Sequence, residues 1–518
     1  MVRSGSGAPP RAARRLARLA AAAMVTLLAV APAAHAGGAA FGLGEVAAKA
    51  EQLAQKPFQD TKGSVPEWLL KITYDQWRDI RYRPDRALWA DQRTPFRAQF
   101  FHPGLYYDRT VAMNVVDDTG VRPLAFSSSV FDYGKNDFAS KVPADLGYAG
   151  FRIHYPIKTP KRLDEVIVFL GASYFRAVGA RQAYGLSARA LAIDTVASSG
   201  EEFPYFREFW LVTPAPGARQ LILYALLDSP SLTGAYRFVV EPGEQTVVSV
   251  ESRLFVRKPI EKLGIAPLTS MFYFGENTVR MFPDFRPEVH DSDGMLANFA
   301  SGEWLWRPLD NPKYIATNTF QTVDPKGFGL IQRDRDFGHY EDLETRSELR
   351  PSVWIAPRGG FGDGAIELVE IPTASDINDN VVSYWVPKAP QRAGDRLAFD
   401  YVLSWYGDDP KRPPGGRVVA TRRDYGKEAN VSRFVIDFAG GTLESIPATE
   451  PVRAVVTVLR GDEAAAILDQ HVVKNDVTGG WRLSFELQPK TGDTLELRAF
   501  LDKGGDALTE TWSYAITP

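Results

Sequence analysis

The chain has 518 residues, of which 45% are hydrophobic and 24% are charged, and its formal net charge is −3 at pH 7. This composition is typical of a folded protein long enough for two or more domains, and its dispersed charges exclude the basic surface that a nucleic-acid partner requires. Cysteine is absent and there are only six histidines, which excludes disulfides and cysteine-ligated metals and predicts neither a metal nor a cofactor.

The N-terminus has the pattern of a cleavable export signal. Arginines precede an apolar run from Leu19 to Ala34, and the small residues up to Ala36 are followed by glycines. The apolar run is short for a membrane span. We therefore predict a signal peptide over residues 1–36, cleaved near Ala36, and a periplasmic mature protein that does not span the membrane.

After a helix predicted from Phe41 to Gln55, the chain is dominated by strand patterns. Runs of Val, Ile, Phe, Tyr and Trp are broken by Gly, Pro, Asp and Asn, as in "DEVIVFLGASYF" from Asp164 to Phe175. There is no alternation of strands and helices and no glycine-rich phosphate loop, which argues against a nucleotide-binding fold. The sequence therefore predicts an all-β protein.

A change of pattern predicts the domain organisation. The Pro/Gly/charge cluster "VPKAPQRAGDR" has the composition of a linker. Beyond it, alternating apolar residues predict short strands at 397–405, 452–458, 481–487 and 495–501. We predict a large N-terminal β-sandwich at 37–385, a linker at 386–396 and a smaller immunoglobulin-like β-sandwich at 397–518.

Polar and aromatic residues cluster between Arg286 and Asn380. Aromatic rings stack on the apolar faces of sugars, and carboxylates bind hydroxyls, protonate a leaving oxygen or activate water. The region supplies both, so it favours a carbohydrate site. Asp291 and Asp379 lie in turn-like polar segments and are candidates for such carboxylates. Others compete with them, namely Asp293, Glu303, Asp336, Glu367, Glu370 and Asp376.

Simpler interpretations stay open from the residues alone. His-Asp-Ser-Asp-Gly and Asn-Asp-Asn are ordinary turn sequences. A calcium loop that begins at Asp291 lacks the required glutamate at its twelfth position, where Gly302 stands. Trp304 and Trp306 fall on the same side of a strand, and such a pair is more often core than ligand platform.

Long ordered blocks make the chain resemble a known family. They include "PFQDTKGSVPEWLLKITYDQWRDIRYRPDRALW", "FRAQFFHPGLYY", "RPEVHDSDGM", "GEWLWRPLDNPK", "GFGLIQRDRDFGHYEDLE", "NDNVVSYWVP" and "GGWRLSFEL". Over nearly the whole mature chain, the sequence resembles the osmoregulated periplasmic glucan biosynthesis proteins (OpgG/OpgD, also called MdoG/MdoD). The absence of a clear twin-arginine signal favours the G-type branch.

The resemblance implies a fold, an activity and residue roles. It implies a large β-sandwich of the galactose mutarotase-like type with a long cleft, joined to an immunoglobulin-like domain. It implies action on β-1,2-glucan with inversion, with Asp379 as general acid and Asp291 as general base acting through intervening groups. Relatives carry a tyrosine that orders water before the Arg-Pro-Ser segment; here Ser347 stands in that segment and is the candidate proton relay. The substrate-binding candidates are His290, Glu303, Trp304, Trp306, Arg350 and Glu370.

Three functions stay open from the sequence. The first is an inverting endo-β-1,2-glucanase, and the second is a transglycosylase in which a sugar hydroxyl replaces water. The third is a non-catalytic scaffold that holds the glucan chain beside the inner-membrane glucan synthase. The expected partners are therefore the glucan and, for the scaffold, the synthase. The presence of both Asp291 and Asp379 favours an enzyme, whereas Ser347 keeps the scaffold open.

Overall fold

The computed structural model describes residues 41–278, 283–425, 431–461, 465–492 and 494–516. The predicted signal peptide, 1–36, lies outside these residues. The helices within them are α1 (Leu43–Ala54), α2 (Glu67–Leu70), α3 (Tyr74–Arg78) and α4 (Phe337–Tyr340). None of these described helices is long and apolar enough to cross a membrane.

Strands make up most of the described fold. The first are β1 (Arg81–Tyr82), β2 (Arg97–Phe101), β3 (Ala112–Asp117), β4 (Gly120–Pro123), β5 (Phe131–Asp132), β6 (Gly150–Thr159), β7 (Arg162–Leu170), β8 (Tyr174–Ala177), β9 (Ser187–Arg189), β10 (Leu191–Ile193) and β11 (Tyr205–Val212). Next come β12 (Leu221–Asp228), β13 (Leu232–Glu241), β14 (Thr246–Val256), β15 (Leu263–Ser270), β16 (Phe272–Phe274), β17 (Val289–His290), β18 (Gly294–Asn298), β19 (Trp304–Pro308), β20 (Ala316–Val323), β21 (Gly327–Ile331) and β22 (Ser352–Arg358). The last are β23 (Asp363–Glu370), β24 (Val381–Pro387), β25 (Arg396–Tyr406), β26 (Arg417–Tyr425), β27 (Ser432–Ala439), β28 (Arg453–Arg460), β29 (Ala466–Lys474), β30 (Trp481–Gln488), β31 (Leu495–Lys503), β32 (Asp506–Ala507) and β33 (Thr511–Ile516).

Two large sheets form the first sandwich. Among the described residues, a ten-stranded sheet runs in the order β2-β6-β7-β8-β9-β15-β24-β23-β20, with β10 beside β15. A fifteen-stranded sheet runs in the order β28-β31-β33-β19-β18-β21-β22-β25-β14-β13-β12-β11-β3-β4, with β32 beside β31. Every second residue of β14 is buried, as expected for a strand with one face on a core. The all-β prediction is confirmed.

Aromatic residues fill the space between these sheets. Phe169 from the ten-stranded sheet meets Phe238 edge-on with 5.2 Å between ring centroids, and Phe175 lies 5.9 Å from Trp405. Such pairs contribute about 0.5–1.5 kcal/mol each beyond their buried area. These contacts pack the inner faces of the two sheets against each other, so the strands that carry the candidate site are supported by a well-packed core.

The outer faces of the two sheets differ. Helix α1, which confirms the predicted helix at 41–55, buries Val46 and Ala50 against Trp210 and Tyr224 of the fifteen-stranded sheet. In β8 of the ten-stranded sheet, buried residues alternate with Tyr174 and Arg176, and Arg176 is exposed. The polar outer face of the ten-stranded sheet is therefore open at this point.

The predicted domain boundary is corrected by strand pairing. Strand β25, expected to begin the C-terminal domain at Leu397, pairs with β14 and β22 in the first sandwich, and Trp405 is fully buried in that core. Residues 386–396 therefore lead from β24 to β25 within the first sandwich. The chain enters the C-terminal sandwich only after Tyr406, because alternation identifies a strand but not the sheet it joins.

A second core lies in the C-terminal part of the chain. The four-stranded sheet β26-β27-β30-β29 packs onto β31 and β33, with Phe434, Phe485, Leu497 and Trp512 buried between them. Strand β33 also pairs in parallel with β19, so the fifteen-stranded sheet runs from one sandwich into the other. The immunoglobulin-like and galactose mutarotase-like types of the two sandwiches stay predictions.

Candidate functional site

The two candidate carboxylates are carried on either side of one stretch of extended backbone. The amide of Asp291 donates to the carbonyl of Met271 at 2.8 Å, and the amide of Asn380, next to Asp379, donates to the carbonyl of Ser270 at 3.0 Å. Consecutive carbonyls of an extended strand point to opposite sides, so the two segments flank this stretch. With strands about 4.8 Å apart, the flanking backbones lie roughly 10 Å from each other.

Asn380 fixes the turn that presents Asp379. Its side-chain Oδ1 accepts from the amide of Phe272 at 2.8 Å, and its Nδ2 donates to the carbonyls of Phe272 and Ile371, both at 3.0 Å. Asn380 is only 3% exposed, so these bonds are shielded from water. The loop between β23 and β24 is therefore held to the start of β16 immediately after Asp379.

Asp379 is open to solvent but crowded by protein. Its side chain is exposed, and no hydrogen bond or ion pair joins it to another described residue. Desolvation by the surrounding protein raises the pKa of Asp379, and the charges of Arg189, Arg176 and Arg350 oppose this rise. An accessible carboxyl group with a raised pKa is suited to donate a proton.

The charge of Arg350 acts on both candidate carboxylates. Its guanidinium forms an ion pair with Asp291, and its positive charge also acts on Asp379. Burial lowers the pKa of Arg350 to about 10, against the opposing charges of Asp376 and Asp379, so the group is still cationic at neutral pH. Gly185 allows this close packing, since a Cβ there would lie 3.0 Å from the Cβ of Arg350.

His290, the residue before Asp291, is buried among hydrogen-bonding partners. It is 1% exposed, its Nε2 lies 3.0 Å from Glu288 Oε2, and its Nδ1 lies 3.1 Å from Gln332 Oε1. Burial lowers its pKa, but Asp293 and Glu288 outweigh that effect and raise it to about 9. His290 is therefore buried and held by Glu288 and Gln332, and its role as a substrate-binding residue stays a prediction.

Ser347 belongs to a buried network of hydroxyl and amide groups. It is 4% exposed, its Oγ lies 3.2 Å from Thr345 Oγ1, and its carbonyl accepts from Gln332 Nε2 at 3.3 Å. The same Nε2 donates to the hydroxyl of buried Tyr340 at 2.7 Å. These bonds connect Ser347 to His290 through Gln332, and the relay role of Ser347 stays a prediction.

The comparisons with known proteins agree on a family. Residues 41–516 match the sequence profile described as "Periplasmic glucan biosynthesis protein, MdoG". The chain belongs to the MdoG family. This match spans both sandwiches and confirms the resemblance seen in the sequence blocks. A relative named "Glucans biosynthesis protein G", from Ralstonia nicotianae (strain ATCC BAA-1114 / GMI1000), is 48% identical over 489 residues, covering 92% of this chain and 96% of the relative.

Matches to solved structures are distant. A polysaccharide lyase matches at a TM-score of 0.23 with 10% identity, covering 71% of this chain and 44% of the lyase, so this chain spans less than half of the lyase. The Slr1438 protein from Synechocystis sp. PCC 6803 matches at a TM-score of 0.23 with 8% identity, covering 50% of this chain and 93% of that protein. Neither match carries an argument about the MdoG-family site.

Three residues beside Asp379 were missed by the sequence analysis. Tyr174 and Arg189 face each other across β8 and β9, with the guanidinium 4.8 Å from the ring centroid, and Arg176 lies on the same face of β8. The charge of Asp379 acts on Tyr174, and those of Arg189 and Arg176 act on Asp379. Tyr174 and Arg176 alternate with the buried Phe175 along β8, and this period of two was a local signal that they share the outer face of the sheet. No local pattern indicated that this face lies near Asp379.

Four predicted substrate contacts have partners within the protein. Trp304 stacks on Trp354 with 5.4 Å between ring centroids, and Trp306 is 3% exposed. Glu303 accepts from Thr511 Oγ1 at 2.8 Å. Glu370 is 4% exposed and accepts from the amide of Asp310 at 2.8 Å. Of the six predicted contacts, Arg350 pairs with Asp291 and its charge acts on Asp379, and the substrate-binding roles of all six stay predictions.

One group of described residues has the spacing of metal ligands. Donor atoms of Glu288, Asp334 and His339 lie within 4.8 Å of one another. His339 Nδ1 already lies 2.6 Å from Asp334 Oδ2, and Glu288 already bonds to His290. Hydrogen bonds within the protein thus account for the arrangement, and the absence of a metal stays a prediction.

Proposed function

We propose that this chain is a periplasmic protein of glucan biosynthesis that cleaves the β-1,2-glucan backbone with inversion, as an endo-acting glycoside hydrolase. Asp379 is the general acid and Asp291 the general base. The observation that supports the proposal is that the segments bearing these two carboxylates flank one backbone stretch, in different environments, and that the charge of Arg350 acts on both.

The spacing of the backbones that carry the two carboxylates is compatible with inversion. Inverting glycosidases leave room for a water between carboxyl groups about 6.5–9.5 Å apart, whereas retaining enzymes place them about 5–5.5 Å apart. Backbones roughly 10 Å apart on either side of one strand suit the wider arrangement. Water then attacks the anomeric carbon from the face opposite to the departing sugar.

The proton movements follow from the two environments. Asp379, accessible and with a raised pKa, donates its proton to the glycosidic oxygen as the bond breaks. The attacking water loses a proton that ends on Asp291. Because Asp291 is 8% exposed and paired with Arg350, this proton reaches it through an intervening hydroxyl group. One proton is given and one is taken, so the two carboxylates exchange protonation states in each cycle.

Family membership supports the substrate and the compartment. The family description names periplasmic glucan biosynthesis, and the 48% identical relative is named for glucan biosynthesis. The predicted signal peptide at 1–36 agrees with export to the periplasm. We extend this to the β-1,2-linked backbone. When a sugar hydroxyl takes the place of water, the same groups perform transglycosylation.

A non-catalytic glucan-binding scaffold is the second candidate. It is favoured by the burial of Asp291 and by its ion pair with Arg350, since a base enclosed in this way is less accessible to water. In that function the open face of the ten-stranded sheet holds the growing chain beside the membrane synthase. The two candidates differ in whether any glycosidic bond is cut.

The deciding experiment incubates the mature protein and its Asp379→Asn variant with linear β-1,2-glucan. Chain length is followed by chromatography and the new anomeric configuration by NMR. We expect inverted products from the parent, none from the variant, and glucan binding by both, since the amide replaces the acid without changing its shape. Binding without products from either protein contradicts the hydrolase and supports the scaffold, while full activity in Asp379→Asn removes Asp379 from the acid role.

A further inference from the structure

A cavity near the candidate site has no role in the chemistry proposed above. It has a volume of about 470 Å³. We call it the aromatic groove, defined by five lining residues, Phe58, Tyr106, Tyr107, Phe203 and Tyr205. Its size is within the range of small-molecule sites in proteins, which is about 300–1,000 Å³.

Arg189 connects one ring of the aromatic groove to the candidate site. The guanidinium of Arg189 lies 4.8 Å from the ring centroid of Tyr174 and 5.5 Å from that of Phe203. Arg189 also acts electrostatically on Asp379. Its other contacts hold it still, since its Nη1 donates to Glu201 at 2.6 Å. A chain bound at Asp379 can therefore continue past Arg189 into the groove.

Two rings of the aromatic groove are left open to solvent. Tyr106 is 79% exposed and Phe203 is 50% exposed. Single exposed hydrophobic residues are common on protein surfaces, but here they line one groove together with three further aromatic rings. Exposed apolar surface gathered in a concave site is typical of a binding surface, and flat aromatic faces suit the apolar faces of sugar rings.

The polar wall of the aromatic groove is rigid and supplies hydrogen-bonding groups. Arg109 donates to both oxygens of Asp60 at 2.9 Å and to Asp108 at 2.8 Å. Such a two-pronged pair is stronger and more directional than a single hydrogen bond. The wall therefore presents fixed donors and acceptors of the kind that sugar hydroxyls require.

The charge of the lining argues for a neutral ligand. The described lining includes the carboxylates of Asp60, Asp108 and Glu202 and the single cation Arg109. Lys62 lies 3.7 Å from Asp108, and Arg189, which contacts Phe203, is paired with Glu201, so the carboxylates stay in slight excess. A polyanion would be repelled by such a surface. A neutral polyol carries no such cost.

We propose that the aromatic groove binds glucose units of the glucan chain at a distance from the bond that is cut, so that affinity depends on chain length. This inference rests on the proposed action on β-1,2-glucan and assigns Tyr106 and Phe203 as its sugar platforms. Short oligosaccharides that occupy only the region around Asp379 do not reach these rings.

The test measures binding by calorimetry in the mature protein carrying Asp379→Asn, which prevents cleavage. A long linear β-1,2-glucan and the trisaccharide are titrated into this parent and into Phe203→Ala, Tyr106→Ala, Phe203→Tyr and Tyr106→Phe versions. We expect each alanine variant to bind the long chain about three- to tenfold more weakly, in line with the loss of one aromatic stacking contact. The ring-retaining variants keep the affinity of the parent, and binding of the trisaccharide is unchanged throughout.

Other outcomes distinguish a failure of the aromatic-groove proposal from a failure of the proposed function. Unchanged long-chain affinity in both alanine variants, with a parent that binds, overturns the groove and leaves the proposed function standing. Equal losses for the long chain and the trisaccharide also overturn it, because they place the rings at the reacting sugars. A parent that binds neither glucan overturns the proposed function and the groove with it. Tyr106→Ala is expected to stay folded, because a side chain that is 79% exposed contributes little to stability. Its affinity loss can therefore be attributed to the missing ring.

Discussion

The Asn380 clamp gives a prediction whose size can be worked out from the structure. Asn380→Ala removes three hydrogen bonds, one accepted from Phe272 at 2.8 Å and two donated to Phe272 and Ile371 at 3.0 Å. At about 1 kcal/mol net for each bond, and with buried backbone groups left unpaired, the free energy of unfolding should fall by roughly 3 kcal/mol.

The same substitution should slow hydrolysis. The turn that presents Asp379 is then no longer held to the start of β16, and a displacement of about 1 Å in a reacting group can cost roughly 10²-fold in rate. We expect the loss mainly in kcat, with KM little changed, because the sugar-binding surfaces are not altered. Urea unfolding measures the stability, and initial rates on β-1,2-glucan measure the activity.

Asn378→Ala is the matched control. Asn378 lies two residues away in the same loop, is exposed, and has no hydrogen bond to another described residue. Its loss should change stability by less than about 0.5 kcal/mol. Asn380→Ala with unchanged stability and full kcat would refute the claim that this clamp positions the acid.

Three further predictions concern charges. Arg350→Gln removes a cation that lowers the pKa of Asp379, so the alkaline limb of the pH–rate profile should move to higher pH while the maximal rate falls; an unmoved limb contradicts the assignment. Burial raises the pKa of Glu370 from 4.5 to about 7, so the stability contributed by its protonated form is complete below about pH 4.5 and is lost as the pH rises through about 7. The urea midpoint should therefore fall between about pH 4.5 and pH 7, and it should fall less in Glu370→Gln; equal slopes would reject this. Arg333→Met leaves the fully buried Glu510 without its 2.6 Å ion-pair partner, which should cost roughly 3–5 kcal/mol in urea unfolding. Lys388→Met is its control, since its 2.6 Å pair with Asp363 is exposed and should cost less than about 1 kcal/mol; equal losses in the two variants would contradict the role of burial.

Sequence patterns predicted the secondary structure well where the signal was local. Helix α1 and the alternating strands β28, β30 and β31 lie close to where the sequence placed them, because amphipathic periodicity depends only on which face of an element is buried. The pairing of β25 with β14 and β22 was not predictable in this way. A strand with one apolar face fits either sandwich equally well on its own residues.

The sequence by itself determined that this is an all-β protein of the MdoG family, and the family resemblance implied roles for Asp291 and Asp379 that the residues alone left open. Only the tertiary structure decided that Arg350 pairs with Asp291 and that its charge also acts on Asp379. It also brought Tyr174, Arg176 and Arg189 to Asp379 from strands about two hundred residues earlier, and packed Trp304 and Trp306 against the second core. The physical reason is that strand pairing and sheet packing join residues distant along the chain, and no local pattern encodes which strands will be neighbours.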